Sequence, residues 1–207
     1  MDLLSILHKT VEKYPQKTAL FFKGERVSFT KLRENVLKLA NALRIYGAQK
    51  SDKVAIYLPN GPEYVYSYLA CFCLGAVVVP LDYMLKIDEL ISCLEHSEAK
   101  ILIAEEHQEV SLGRLKEAVS SLKVLIVCGK KIEHALSWDE ITAKASGDWQ
   151  AASISDGDPA LILYTSGTSG KPKGVLLNYK HLEGSPRAME YFVDLSGQDV
   201  KLCALPL

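Results

Sequence analysis

From Asp52 to Tyr164 the chain alternates short, uninterrupted apolar runs with segments of helical periodicity, and this rhythm is its strongest constraint on fold. Residues 54–58, 76–79, 101–104, 124–127 and 160–164 read as strands. Between them lie a segment opened by Pro62 and Glu63 and running to Leu74, one opened by Asp88 and Glu89 with Leu90, Ile91 and Leu94 in register, and one marked by Leu112, Leu115, Val119 and Leu122. Ser137 to Glu140 has the spacing of a capping box that starts a further short helix. Continuously apolar strands separated by helices predict an α/β fold, a mostly parallel sheet covered by helices on both faces. Gly75 is placed to end one helix and Pro80 to turn the chain after the next strand. The polar stretch 147–159 reads as a loop.

Residues 1–47 have another character. Leu3, Leu4, Leu7 and Val11 share one helical face. Residues 18–22 and 26–29 flank Lys23-Gly24-Glu25 as a hairpin, and Thr30 is placed to cap a helix carrying Leu32, Val36, Leu39, Ala40 and Leu43, ended near Gly47. The division expected is therefore a helix-hairpin-helix segment over 1–47 and an α/β unit over 52–207.

The chemistry concentrates in Tyr164 to Gly174, YTSGTSGKPKG. Glycines allow backbone N–H groups to approach an anion, hydroxyls donate to its oxygens, and lysines bring charge, so a phosphate cradle is predicted. The stretch fails as a P-loop, because Thr165 stands where the first glycine belongs and Pro172 where the Ser/Thr belongs. It also fails as G-x-G-x-x-G, again at Thr165. A flexible linker shares this composition, but a linker seldom lies directly between two apolar strand-like runs, and Pro172 would stiffen one.

Composition narrows the remaining classes. With a net charge of −1 and no Lys/Arg run beyond a pair at Lys130-Lys131, the chain lacks the basic face of a nucleic-acid binder. The uncharged stretch 64–81 is broken by Gly75 and Pro80 and reads as a helix and a strand, not a membrane span. The N-terminus carries no secretory pattern. The five cysteines form no C-x-x-C pair, and Cys93 with His96 lacks the further ligands that zinc needs. Reduced thiols in a cytoplasmic protein are expected. Asp82 reads as a turn-capping carboxylate, and His181 as a surface or packing residue.

The string 164–174 closely resembles the phosphate-binding loop of the AMP-forming, adenylate-forming enzyme superfamily, which includes acyl-CoA synthetases, amino-acid adenylation domains and luciferases. Each position matches [Y/F]-T-S-G-[ST]-[ST]-G-x-P-K-G. Two shorter blocks extend the likeness along the chain: Val27 to Leu32, with Lys31 at an acidic position, and Leu74 to Asp82. Asn178-Tyr179 replaces a common Thr-His, but Asn178 still suits a helix cap, with a kink expected at Gly184-Ser185-Pro186. The closing Leu205-Pro206-Leu207 resembles the start of a further family block.

The resemblance implies an enzyme that activates a small-molecule carboxylic acid as its acyl-adenylate with ATP and Mg2+, then passes the acyl group to coenzyme A. Thr165, Ser166, Gly167, Thr168, Ser169, Gly170, Lys171, Pro172, Lys173 and Gly174 would hold the ATP phosphates, and Thr165 or Thr168 would approach the phosphate-bound metal. No residue here is assigned to catalysis or to direct metal ligation. The family's adenine contacts, metal-binding Glu, acyl pocket and catalytic Lys follow the stretch matched here. The expectation is thus an N-terminal part that is inactive alone and is partnered by the C-terminal part of such an enzyme. An amino-acid adenylation fragment and a non-catalytic nucleotide-binding or interaction module stay open.

Overall fold

The computed structural model describes residues 3–107, 112–148, 152–165, 173–182, 184 and 196–203. Helix α1 (Leu3–Lys13) precedes a two-stranded antiparallel sheet of β1 (Thr18–Phe22) and β2 (Glu25–Ser28), followed by α2 (Phe29–Ile45). Ser28, not Thr30, caps α2: it has extended backbone angles, and its hydroxyl accepts from Lys31 N at 3.2 Å. The Thr30 hydroxyl instead donates to Pro15 O at 2.9 Å and ties the helix start to the α1–β1 turn.

The main sheet has seven strands in the order β7-β6-β5-β3-β4-β8-β9. Strands β3 (Lys53–Tyr57), β4 (Val77–Pro80), β5 (Ile101–Glu105), β6 (Val124–Cys128), β7 (Leu136–Ser137) and β8 (Pro159–Thr165) run parallel, and β9 (Lys173–Asn178) returns antiparallel along β8. The mostly parallel sheet matches the sequence expectation. The short β7 was not legible, because two residues carry no periodicity.

Side chains alternate across the sheet with period two. Val54, Ile56, Val78, Ile101, Ile103 and Ile126 face a core shared with α2, α3 (Pro62–Leu74) and α6 (Trp138–Lys144). Ala55, Tyr57, Val79, Leu102, Leu125 and Val127 face a second core under α4 (Ile87–Ser97) and α5 (Leu115–Ala118). Both faces are thereby covered, which is why the strands are apolar throughout. Helix α2 contributes Leu32, Val36, Leu39 and Leu43 to the same core as α3.

Helix α3 opens on Pro62, carries Glu63 in its first turn, and ends at Gly75, whose φ of +66° is the left-handed geometry that glycine accepts without a steric cost. The uncharged stretch 64–81 is thus the body of α3 followed by β4. Among the described residues no helix is long and apolar enough to cross a membrane.

Two local expectations need correction. The 112–122 periodicity yields only a 3-10 turn, Leu112–Arg114, and the four residues of α5. Leu112, Leu115, Val119 and Leu122 are all buried, so the spacing reported which positions face the sheet rather than a continuous helix. At α6, Ser137 is the N-cap residue but makes no capping hydrogen bond, and Glu140 pairs with Lys131 instead. A reciprocal contact of that kind occurs at α4, where the Glu89 carboxylate accepts from Lys86 N at 2.9 Å.

Among the described residues β4 and β8 share one ladder position, Val78 with Leu161, although the two strands lie as closely side by side as β3 and β4 do.

Candidate functional site

Parallel strands put their carboxyl ends on one edge, where ligands of open α/β sheets bind. Strand β8 runs parallel to β4, so Thr165 lies at that edge. Thr165 pairs with Lys173 and Tyr164 with Gly174, so the two ends of the glycine-rich stretch stand side by side. Thr165 and Lys173 are both exposed, placing a hydroxyl donor and an ammonium at the mouth of the turn. That donor set fits an anionic oxygen. Ser166, Gly167, Thr168, Ser169, Gly170, Lys171 and Pro172 lie outside the described residues.

The base of the turn is packed tightly. A Cβ on Gly174 would lie 3.0 Å from Ile162 Cγ2, and 3.5 Å from both His96 Cε1 and Tyr164 Cε1. The Tyr164 hydroxyl donates to Cys93 O at 3.1 Å and lies 2.8 Å from His96 Nδ1, with the two rings edge to face. Burial pushes the Tyr164 phenol up to about 12. Cys93 and His96 were paired in the sequence by their helical spacing. In the structure the backbone of one and the ring of the other meet this phenol, and no group of three or more His, Cys, Asp or Glu suited to a metal occurs among the described residues.

The loop after β4 is ordered at the same edge. Asp82 Oδ1 accepts from Met84 N at 2.9 Å, the turn-capping role read from sequence. The Tyr57 hydroxyl, at the end of β3, sits 3.1 Å from Tyr83 O, 2.9 Å from Leu85 O and 2.6 Å from His107 Nε2. Tyr83 and His107 pack edge to face at 4.7 Å. No sequence motif announced this cluster; its members come from three separate segments.

A cavity of about 390 Å3 is lined by His96, Gly174 and Leu176 together with Lys53 and Glu98. The Lys53 ammonium is engaged by Glu98 at 3.2 Å. Asp158, just before β8, accepts from Lys50 Nζ at 2.6 Å and from Ser155 N at 2.8 Å, and these bonds hold its carboxyl below the usual range.

After β9, Asn178 Oδ1 accepts from His181 N and His181 Nδ1 accepts from Asn178 N, both at 3.2 Å, so Asn178 caps the turn of helix over 179–182. The kink expected at 184–186 and the final Leu205-Pro206-Leu207 fall outside the described residues except for Gly184. Cys71, Cys73, Cys93 and Cys128 are buried and unbridged, and burial raises the thiol pKa values of Cys71, Cys93 and Cys128, that of Cys93 to about 11. They are poor nucleophiles near neutral pH.

Comparison with known proteins agrees with this geometry. The acetyl-coenzyme A synthetase of Streptomyces avermitilis is 33% identical over 199 residues, covering 84% of this chain and 30% of that enzyme. The 2-succinylbenzoate–CoA ligase of Bacillus velezensis is 32% identical over 198 residues, covering 93% of this chain and 37% of that enzyme. The chain therefore spans about a third of the length of these relatives. Among solved structures, a long-chain-fatty-acid-CoA ligase from Archaeoglobus fulgidus superposes with a TM-score of 0.83 at 26% identity, covering 96% of this chain and 40% of that one. The N-terminal domain of FACL13 from Mycobacterium tuberculosis shares the fold, with a TM-score of 0.84 over 98% of this chain and 50% of that domain. The profile of the AMP-binding enzymes matches residues 7–207, so the motif, the sheet that presents it and the matches over nearly the whole chain agree: this chain belongs to the AMP-binding enzyme family.

Proposed function

We propose that the chain is the N-terminal part of an ATP-dependent, AMP-forming acid–thiol ligase, in which Thr165 to Gly174 grip the phosphates of Mg-ATP. The observation that carries this reading is a complete family loop motif leaving the carboxyl end of β8, with Thr165 and Lys173 exposed and paired across its base. In the reaction, a carboxylate attacks the α-phosphorus of ATP and pyrophosphate leaves. Negative charge grows on the departing phosphates, and donors fixed in advance lower the barrier by meeting it there. Thr165 supplies a hydroxyl and Lys173 a positive charge at the mouth. The remaining loop residues, Ser166 to Pro172, add hydroxyls, N–H groups and the Lys171 charge. Mg2+, when bound, neutralises phosphate charge.

The CoA ligases among the relatives favour an acyl- or aryl-CoA synthetase over an amino-acid adenylation domain, with coenzyme A as the acceptor. The buried, unbridged thiols fit a reducing compartment such as the cytoplasm. With about a third of the relatives' length, this chain supplies the phosphate grip and depends on the C-terminal part of such an enzyme for turnover.

Calorimetric titration of Mg-ATP into the chain tests the reading. Binding is expected, weakened about tenfold by Lys173→Ala, the loss of one charge-assisted contact. No binding at millimolar nucleotide would overturn the phosphate role. Carboxylate-dependent ATP–pyrophosphate exchange by this chain would overturn its inactivity alone.

A further inference from the structure

We propose that His96 is a positioning residue for the glycine-rich turn, acting through Tyr164 as its Nδ1–H tautomer. The inference rests on the phosphate reading for its purpose but not for its geometry.

The two residues that bracket the turn, Tyr164 and Gly174, are cross-strand partners. Tyr164 is bonded by His96, which belongs to neither strand but to the last turn of α4, and His96 lines the same cavity as Gly174. Helix α4 is in turn seated on the sheet by Leu90, Cys93 and Leu94, all buried. The imidazole therefore links the hairpin base, through Tyr164, to a helix anchored in the core.

The hydrogen bond from Tyr164 to α4 points to the tautomer. A phenol has one proton to donate. The Tyr164 hydroxyl donates to Cys93 O at 3.1 Å, a carbonyl that can only accept. With the phenolic proton directed there, the 2.8 Å contact with His96 Nδ1 is satisfied when the ring donates to the phenolic oxygen. His96 stands exposed beside the open cavity, so the ring exchanges with solvent while one nitrogen stays committed.

The test is amide exchange, measured over β8 and β9 in the chain as it stands. His96→Ala is expected to speed exchange at the paired amides of 161–165 and 173–176 by about threefold to tenfold, the scale of one hydrogen bond, with β3 and β5 unchanged. His96→Asn, whose side-chain amide nitrogen can take the place of Nδ1, restores the wild-type rates. Tyr164→Phe has the same effect as His96→Ala, and the double variant adds nothing further, the mark of two residues acting as one unit. Nitrogen NMR of the imidazole places the proton on Nδ1. Wild-type exchange in His96→Ala, additive effects in the double variant, or a proton on Nε2 alone would each overturn the proposal. Mg-ATP titration separates it from the phosphate reading. If the wild-type chain does not bind, that reading fails while the exchange data still decide the role of His96. If it binds, an unaltered affinity in His96→Ala counts against positioning.

Discussion

At Gly174 a methyl group would meet Ile162 Cγ2 at 3.0 Å, tighter than most Cβ contacts, so Ile162 must give way, while His96 and Tyr164 lie at ordinary contact distance, 3.5 Å. Gly174→Ala should therefore destabilise the chain by about 1–3 kcal/mol, the usual range for overpacking. Combining it with Ile162→Val should recover part of the loss, as read by urea denaturation. Asp158 makes a prediction of a different kind. Its bonds to Lys50 and to Ser155 N depress its folded-state pKa. A depressed carboxylate stabilises the fold at pH values above its unfolded pKa, and this contribution disappears as pH falls through the lower folded value. Asp158→Asn should therefore lower the denaturation midpoint at pH 7 and have no such effect once the pH is below the carboxylate range. An equal deficit at pH 2 and pH 7 would show that Asp158 acts by shape and not by charge.

At the scale of elements, the contrast lies between the two sheets. Among the described residues strands β1 and β2 pair only with each other, and Phe21 on that hairpin is 64% exposed. Strand β3, by contrast, lies between β4 and β5, and Val54 to Tyr57 are fully buried. A two-stranded ribbon has little to hold it beyond the helix beneath. In an exchange experiment the β1–β2 amides should equilibrate well before those of β3 and β5; equal protection would mean that α2 and the hairpin open only with the whole sheet. The sequence made the major strands and helices plain, because continuous apolar runs and 3.6-residue spacing are strong local signals. It misplaced the cap of α2 and the capping box of α6, since either Ser28 or Thr30 could cap and tertiary partners chose between them. It overextended the helix near Leu112, where burial and helicity share one pattern.

For the molecule as a whole, the motif residues Thr165 to Gly174 stood out in the sequence by their composition and by the family loop they resemble, whereas the residues packed around them did not. His96 lies 68 positions before Tyr164 in the chain, and Tyr57 lies 50 before His107, so both pairs are products of topology. The pairing of β4 with β8 belongs to this scale too, because β8 must reach back past three intervening strands, β5 to β7, to find its partner. Strands β3 to β7 can pair before β8 is available, but the core shared with α2 and α3 is completed only by Ala160, Leu161 and Tyr179. Chains fold as they are synthesised, from the N-terminal side. The glycine-rich turn lies between β8 and β9, the last two strands among the described residues, so a nascent chain has every other strand of its sheet in hand before both ends of that turn exist.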